Sequence, residues 1–193
     1  MKKSIVFLIL AFITPWVWGQ TDTLRYRRGG VDIGFEIQGY PAGIIPTFTF
    51  NIYFSNHLAL RLRIGGNLAN RRDFSPYNDN ERAIGFGGSG GLVAYFPFKN
   101  GNITVGTTID LWNMWTRWKD DIHSSLPREG VTYTLVFQPW MNAGYLFNVP
   151  GRGMNLGATY GFGKEINVIT LGESVGEGWM SSITLTMNIS VSR

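Results

Sequence analysis

The stretch Ile183-Thr184-Leu185-Thr186-Met187-Asn188-Ile189-Ser190-Val191 alternates apolar and polar residues without a break. Successive side chains of a β-strand point to opposite faces, so Ile183, Leu185, Met187, Ile189 and Val191 share one face, and Thr184, Thr186, Asn188 and Ser190 share the other. A strand with one greasy and one polar face is the repeating unit of a closed β-barrel.

Working outward from this stretch, the same period recurs in seven earlier segments. Val31 to Tyr40 sets Val31, Ile33, Phe35 and Ile37 against Asp32, Gly34, Glu36 and Gln38. Thr47 to Phe54 sets Phe48, Phe50, Ile52 and Phe54 against Thr49, Asn51 and Tyr53, and Ser55-Asn56 makes a turn with His57 beside it. The third segment sets Leu58, Leu60, Leu62 and Ile64 against Ala59, Arg61, Arg63 and Gly65. The fourth, Arg82 to Phe98, is glycine-rich, which permits the bend and close approach of a small barrel. Ile103 to Trp115, Val131 to Phe147 and Met154 to Phe162 complete the set, with Pro139 suggesting a bulge in the sixth. Connectors alternate: tight at Ser55-Asn56, Lys99 to Asn102 and Asn148 to Gly153, and longer and polar at Asn67 to Glu81, Arg117 to Gly130 and Gly163 to Gly178. Pro41 to Pro46 is short for the second class.

The N-terminus reads as export. Lys2 and Lys3 precede an apolar run from Ile5 to Ile13 and then Thr14-Pro15-Trp16-Val17-Trp18-Gly19, the layout of a signal peptide cleaved after Gly19 or Gln20. That run is too short for a membrane-spanning helix, which needs about 20 apolar residues. The expected organisation is a signal peptide (1–19), a periplasmic segment (20–30) containing Arg25, Arg27 and Arg28, and a barrel domain (31–193). There is no cysteine, so disulfides do not hold the fold. The formal net charge of +4 includes Lys2 and Lys3, and what remains is too small for a nucleic-acid footprint.

Alternation alone leaves open which face points out: a soluble barrel carries its apolar residues inside and would show the same period. Composition favours the greasy face outward. Charged residues make up 16% of the chain against roughly 25% in average soluble domains, and the polar faces are mostly Thr, Ser, Asn and Gly. Aromatic residues gather near strand ends: Phe54, Tyr95, Phe96, Phe98, Tyr145 and Phe147 at one end, and Tyr40, Trp112, Trp115, Trp118, Tyr133 and Trp179 at the other. Two girdles of this kind mark bilayer interfaces. The reading is therefore an all-β, eight-stranded antiparallel up-and-down transmembrane barrel, with short turns in the periplasm and long loops outside.

On these segments, about Val31 to Ser192, the chain resembles the small eight-stranded outer-membrane barrels of the OmpA, OmpX and OmpW type, and is similar to barrels of the Bacteroidetes type. The resemblance implies a monomer in the outer membrane of a Gram-negative bacterium, in contact with membrane lipid and inserted by the barrel assembly machinery. In such barrels the last residue is usually an aromatic that this machinery reads; here the chain ends Val191-Ser192-Arg193.

Eight strands enclose a space just wide enough for side chains. Asp32, Glu36, Arg61, Arg63 and Asp110 fall on the inward face, where unpaired charges are costly, so they are expected to pair as a plug. His123 and Ser125, with Glu129 or Asp121, offer the residue types of an acyl-ester hydrolase, loosely like the outer-membrane lipid A deacylases. Their polar, Pro127-containing surroundings indicate a solvated loop instead. Asp120, Asp121 and His123, and Asp73, Asp79 and Glu81, lack EF-hand or zinc spacing, so neither a metal nor another cofactor is expected. The leading function is a non-enzymatic membrane anchor whose loops carry recognition of an unknown extracellular partner. The alternatives are a lipid-modifying barrel enzyme and a soluble exported barrel holding a small apolar ligand.

Overall fold

The computed structural model describes residues 29–72 and 78–191, and these form eight strands. They are β1 (Val31–Tyr40), β2 (Gly43–Tyr53), β3 (Leu58–Arg72), β4 (Asn80–Phe98), β5 (Gly101–Asp120), β6 (Arg128–Val149), β7 (Met154–Leu171) and β8 (Gly178–Ser190). Each pairs antiparallel with its neighbours in sequence, and β8 pairs with β1, so the sheet is a closed barrel. Closure leaves no edge strand in the ring. The expected signal peptide, the Arg25, Arg27 and Arg28 segment, Asp73 and the terminal Ser192-Arg193 lie outside the described residues.

The period-two faces sort as the composition indicates. Phe48, Ile64, Ile84, Phe86 and Leu185 are about 60% exposed on the outside, while Glu36, Asn51, Asp110, Gln138 and Asn188 are fully buried within. A soluble barrel with a greasy interior for an apolar ligand requires the reverse.

The strands outrun their expected lengths. Asn67 to Arg72 continues β3 and pairs with Asn80 to Gly85, Arg117 to Asp120 continues β5 against Arg128 to Val131, and β7 runs on to Leu171. The three connectors expected to be long therefore shrink to 73–79, 121–127 and 172–177, and Pro41 to Pro46 shrinks to a turn at Pro41 and Ala42. The extensions of β3 and β5 put Asn70, Arg72, Arg117 and Lys119 on the outer face, and the register of β7 shifts at Val168, so the apolar alternation lapses while the ladder of backbone hydrogen bonds continues. At about 3.3 Å per residue and a tilt of about 40°, the 22 residues of β6 rise ~55 Å, against an apolar band of about 25 Å. The barrel is a tall wall over β4 to β7 and a low one over β1, β2 and β8.

Pro139 does not mark the bulge. It pairs with Ile109, and the register shift falls between Leu135 and Val136, opposite the unpaired Val168 of β7. Pro46 likewise sits inside β2, facing Ile37, and costs only a lapse in pairing with β3.

Candidate functional site

The lumen is filled in layers, and each layer follows from strand parity. Nearest the end bearing the tight turns, Tyr53, Ala59, Val93, Tyr95 and Leu146 form an apolar floor. Asp32 sits beside it, accepting from the Tyr53 hydroxyl and from Ser190 Oγ, each at 2.7 Å.

Above the floor lies a charged layer. Arg61 Nη1 is 3.1 Å from Glu36 Oε1, and its Nε donates to Asn51 at 2.9 Å. Arg63 Nη2 meets Asp110 Oδ1 at 2.6 Å, Nη1 donates to Gln38 at 2.9 Å and lies 3.5 Å from Glu36, and Nε donates to Ser89 at 2.6 Å. Glu36 thus faces two guanidiniums, and Arg63 faces two carboxylates. Of the inward charges singled out from the sequence, the structure joins Glu36, Arg61, Arg63 and Asp110 in one network, whereas Asp32 is held by hydroxyls.

A second apolar layer follows, of Tyr40, Ile45, Trp112, Met114, Val136, Trp140 and Met180. Trp112 is fully buried, so it is no part of an outer girdle. Its parity on β5 is that of Asp110, and its Nε1 donates inward to Gln138 at 3.1 Å. Tyr40, Tyr95 and Trp118 turn inward for the same reason. Phe54, Phe96, Phe98, Trp115 and Trp179 do face outward, and Phe147 and Tyr133 are half-buried on that side. Trp115 stacks on Phe86 and touches Tyr133, and Trp179 lies parallel to Phe162 at 5.2 Å.

The uppermost layer escaped the sequence reading. Gln138 passes the Trp112 bond on to Glu165 at 3.0 Å, Arg71 binds Glu165 and Gly176 O, and Arg71 also lies 3.4 Å from Glu81. Glu81 accepts the Gly176 amide at 3.0 Å, Asn78 donates to Ser174 O at 2.9 Å, and Thr132 donates to Glu173 O at 2.8 Å. The connector 172–177 is thereby drawn over the mouth, with Val175 only 4% exposed. The space left beneath it, among Arg71, Glu81, Met114 and Glu165, is ≈10 Å³, room for one water and nothing larger.

The loop candidates stay apart from this chamber. His123 and Ser125 are exposed in the connector 121–127, and among the described residues no hydrogen bond links them to each other or to Glu129. Glu129 instead pairs with Lys119 at 2.8 Å, and that bond and charge pull its carboxyl below the usual range. Asp79 accepts the Ile122 amide at 3.0 Å, tying two connectors together. Among the described residues no group of His, Asp and Glu is arranged to hold a metal. His57 closes the β2–β3 turn through its ring Nδ1, 3.0 Å from Tyr95 O.

No known protein-family profile matches the chain, and no curated protein does. Among solved structures it is similar to Neisserial surface protein A, at 11% identity and a TM-score of 0.50, covering 83% of this chain and 94% of that one. The N-terminal β-barrel domain of Pseudomonas aeruginosa OprF matches at 12% identity and a TM-score of 0.44, covering 85% and 100%. Ail, the attachment invasion locus protein of Yersinia pestis, matches at 10% identity and a TM-score of 0.47, covering 84% and 99%. The fold is that of the small eight-stranded outer-membrane barrels.

Proposed function

We propose that the chain is an integral outer-membrane protein of a Gram-negative cell, exported by its N-terminal signal and acting without enzymatic chemistry as a closed anchor that presents its rim and connectors to the exterior. The observation that carries this is the outer surface. From Ile103 to Trp115 the outward residues of β5 are apolar except for Thr107 and Asn113, the latter capped by the Tyr133 hydroxyl at 2.7 Å, and Arg117 and Lys119 follow directly. By the arithmetic used for β6, that stretch is about 30 Å high, the height of a bilayer core. Among the described residues no helix is long and apolar enough to cross a membrane, so strands would cross. With the ring closed and the lumen filled, the barrel needs no partner strand and offers no permanent pore, consistent with a monomer in contact with lipid after insertion by the assembly machinery.

Detergent extraction followed by electrophoresis of boiled and unboiled samples tests the anchor: the unboiled barrel is expected to migrate faster. Recovery in the aqueous periplasmic fraction would refute it. Lipid A mass spectrometry with and without the protein tests the absence of enzymatic chemistry. The acyl pattern is expected to be unchanged, and an acyl loss abolished by S125A would overturn that half of the reading.

A further inference from the structure

On the outside of β3, β4 and β5 the ladder places cations in two tiers directly above the aromatic belt. The belt tier reads Leu68, Ile84, Trp115, Tyr133 across β3 to β6. The next tier reads Asn70, Arg82, Arg117, Val131, and the one above reads Arg72, Asn80, Lys119, Glu129. Arg82 and Arg117 are therefore exact cross-strand partners on the same face, and both are exposed. Like charges directly opposite on a sheet are destabilising, and among the described residues neither has a carboxylate partner. The acidic residues of this region do not relieve them. Glu81 points inward to Arg71, Asp79 is engaged by the Ile122 amide, and Glu129 is taken by Lys119. Glu81 and Glu165 are thus spent on Arg71 inside the mouth and Glu129 on Lys119 outside, which leaves the Arg82 and Arg117 pair unneutralised.

The same residues line a concavity. Asn80, Arg82, Arg117, Lys119, Glu129 and Val131, with Trp118 and Gly130, border a hollow of ≈800 Å³, and the ladder sets Ile84 and Trp115 in the tier below it. Two guanidiniums whose Cβ atoms stand about 5 Å apart converge on an anion with several equivalent oxygens, and a phosphate satisfies both forks at once. The height fixes the source: the pair sits one residue pair above the interfacial tryptophan, where lipid headgroups lie and long cationic side chains reach them.

We infer that Arg82 and Arg117, with Lys119 above them, form a binding site for the phosphate of a phosphorylated lipid headgroup in the outer leaflet, with its acyl chains against Ile84, Phe86 and Trp115. This rests on the membrane reading proposed above. The pairing of identical charges is then a feature of the unliganded surface that the lipid neutralises.

The test uses the full chain folded in neutral detergent and native mass spectrometry, with bis-phosphorylated lipid A and its dephosphorylated twin as probes. The phosphorylated lipid is expected to bind at least about tenfold tighter. R82Q/R117Q is expected to abolish that preference, and R128Q, which removes a charge from the same rim, to keep it. Heat-modifiable migration verifies that each variant is folded. A folded double variant that retains the preference overturns the site and leaves the membrane anchor standing. Displacement of the lipid by inorganic phosphate at equal phosphate concentration shows a free-anion site and overturns the lipid assignment. A wild-type chain that never enters detergent or lipid overturns both readings.

Discussion

Arg63 of β3 and Asp110 of β5 meet at 2.6 Å inside the barrel, although β4 lies between their strands. On the way the same guanidinium bonds Ser89 of β4, and it turns back to Gln38 of β1. One side chain therefore ties four strands at a single height, and its removal is felt across the ring.

R63M is expected to destabilise the barrel by about 3–5 kcal/mol, because Asp110 loses its ion pair and Glu36 one of its two while both stay buried. Urea unfolding in lipid vesicles measures it. Adding D110N, which neutralises the carboxylate left without an ion pair while Glu36 keeps Arg61, is expected to recover much of the loss; an equal loss in the double variant would mean that packing, not charge, is at stake.

Gly87 and Gly90 are expected to respond oppositely to alanine. A Cβ at Gly87 would run into the Leu111 carbonyl and stand 2.8 Å from the Trp112 ring, while one at Gly90 meets nothing closer than Leu62 at 3.7 Å. G87A is expected to fail to reach the heat-modifiable form, and G90A to stay within about 1 kcal/mol of wild type.

The cover over the mouth hangs on Glu81. E81Q weakens the bond to the Gly176 amide and removes the charge beside Arg71, so amide exchange at Gly176 is expected to quicken about tenfold or more. Planar-bilayer recording is expected to show no steady conductance in either protein, since the Arg61 and Arg63 layer remains closed below. A conducting E81Q would show that the cover, not the lumen, is the seal.

Glu129 gives a titration with a defined sign. Its carboxyl is held low by Lys119, so the pair's contribution is present above the ordinary glutamate range, near pH 4.3, and is lost as pH falls through the depressed value. K119M is expected to return the Glu129 midpoint to the ordinary range in a carboxyl-resolved NMR titration. Because the pair is exposed, global stability is expected to change little.

Parity carried most of what the sequence could reveal, and where it was set aside the reading went astray. Ile183 to Val191 and Ile103 to Leu111 show their faces plainly, and Glu36, Arg61, Arg63 and Asp110 follow from counting by two. Trp112 obeys the same count as Asp110, yet its size and place near a strand end suggest a girdle; alternation overrules residue type there. Arg71, Glu81 and Glu165 continue the inward series of Arg63, Gly85 and Gly163, but Asn70, Arg72, Asn80, Arg82 and Lys164 beside them are polar too, so no contrast of faces marks them as inward. Nothing local betrays the Val168 bulge, because the displaced residue is an ordinary strand former. The covering connector is illegible for another reason: its anchors lie 41 to 105 residues away in the chain.

The seam between β1 and β8, stapled by Ser190 to Asp32 across 158 residues, decides when the molecule becomes safe. Local hairpins form early, but this pairing needs the full chain in place and closes the largest loop. Until it forms, two rows of backbone N–H and C=O groups stay open, and a curled, greasy sheet is offered to any other chain. The hazardous interval comes late: the most aggregation-prone species is one seam short of complete, and shielding of its two open edges matters most in the last moments of closure.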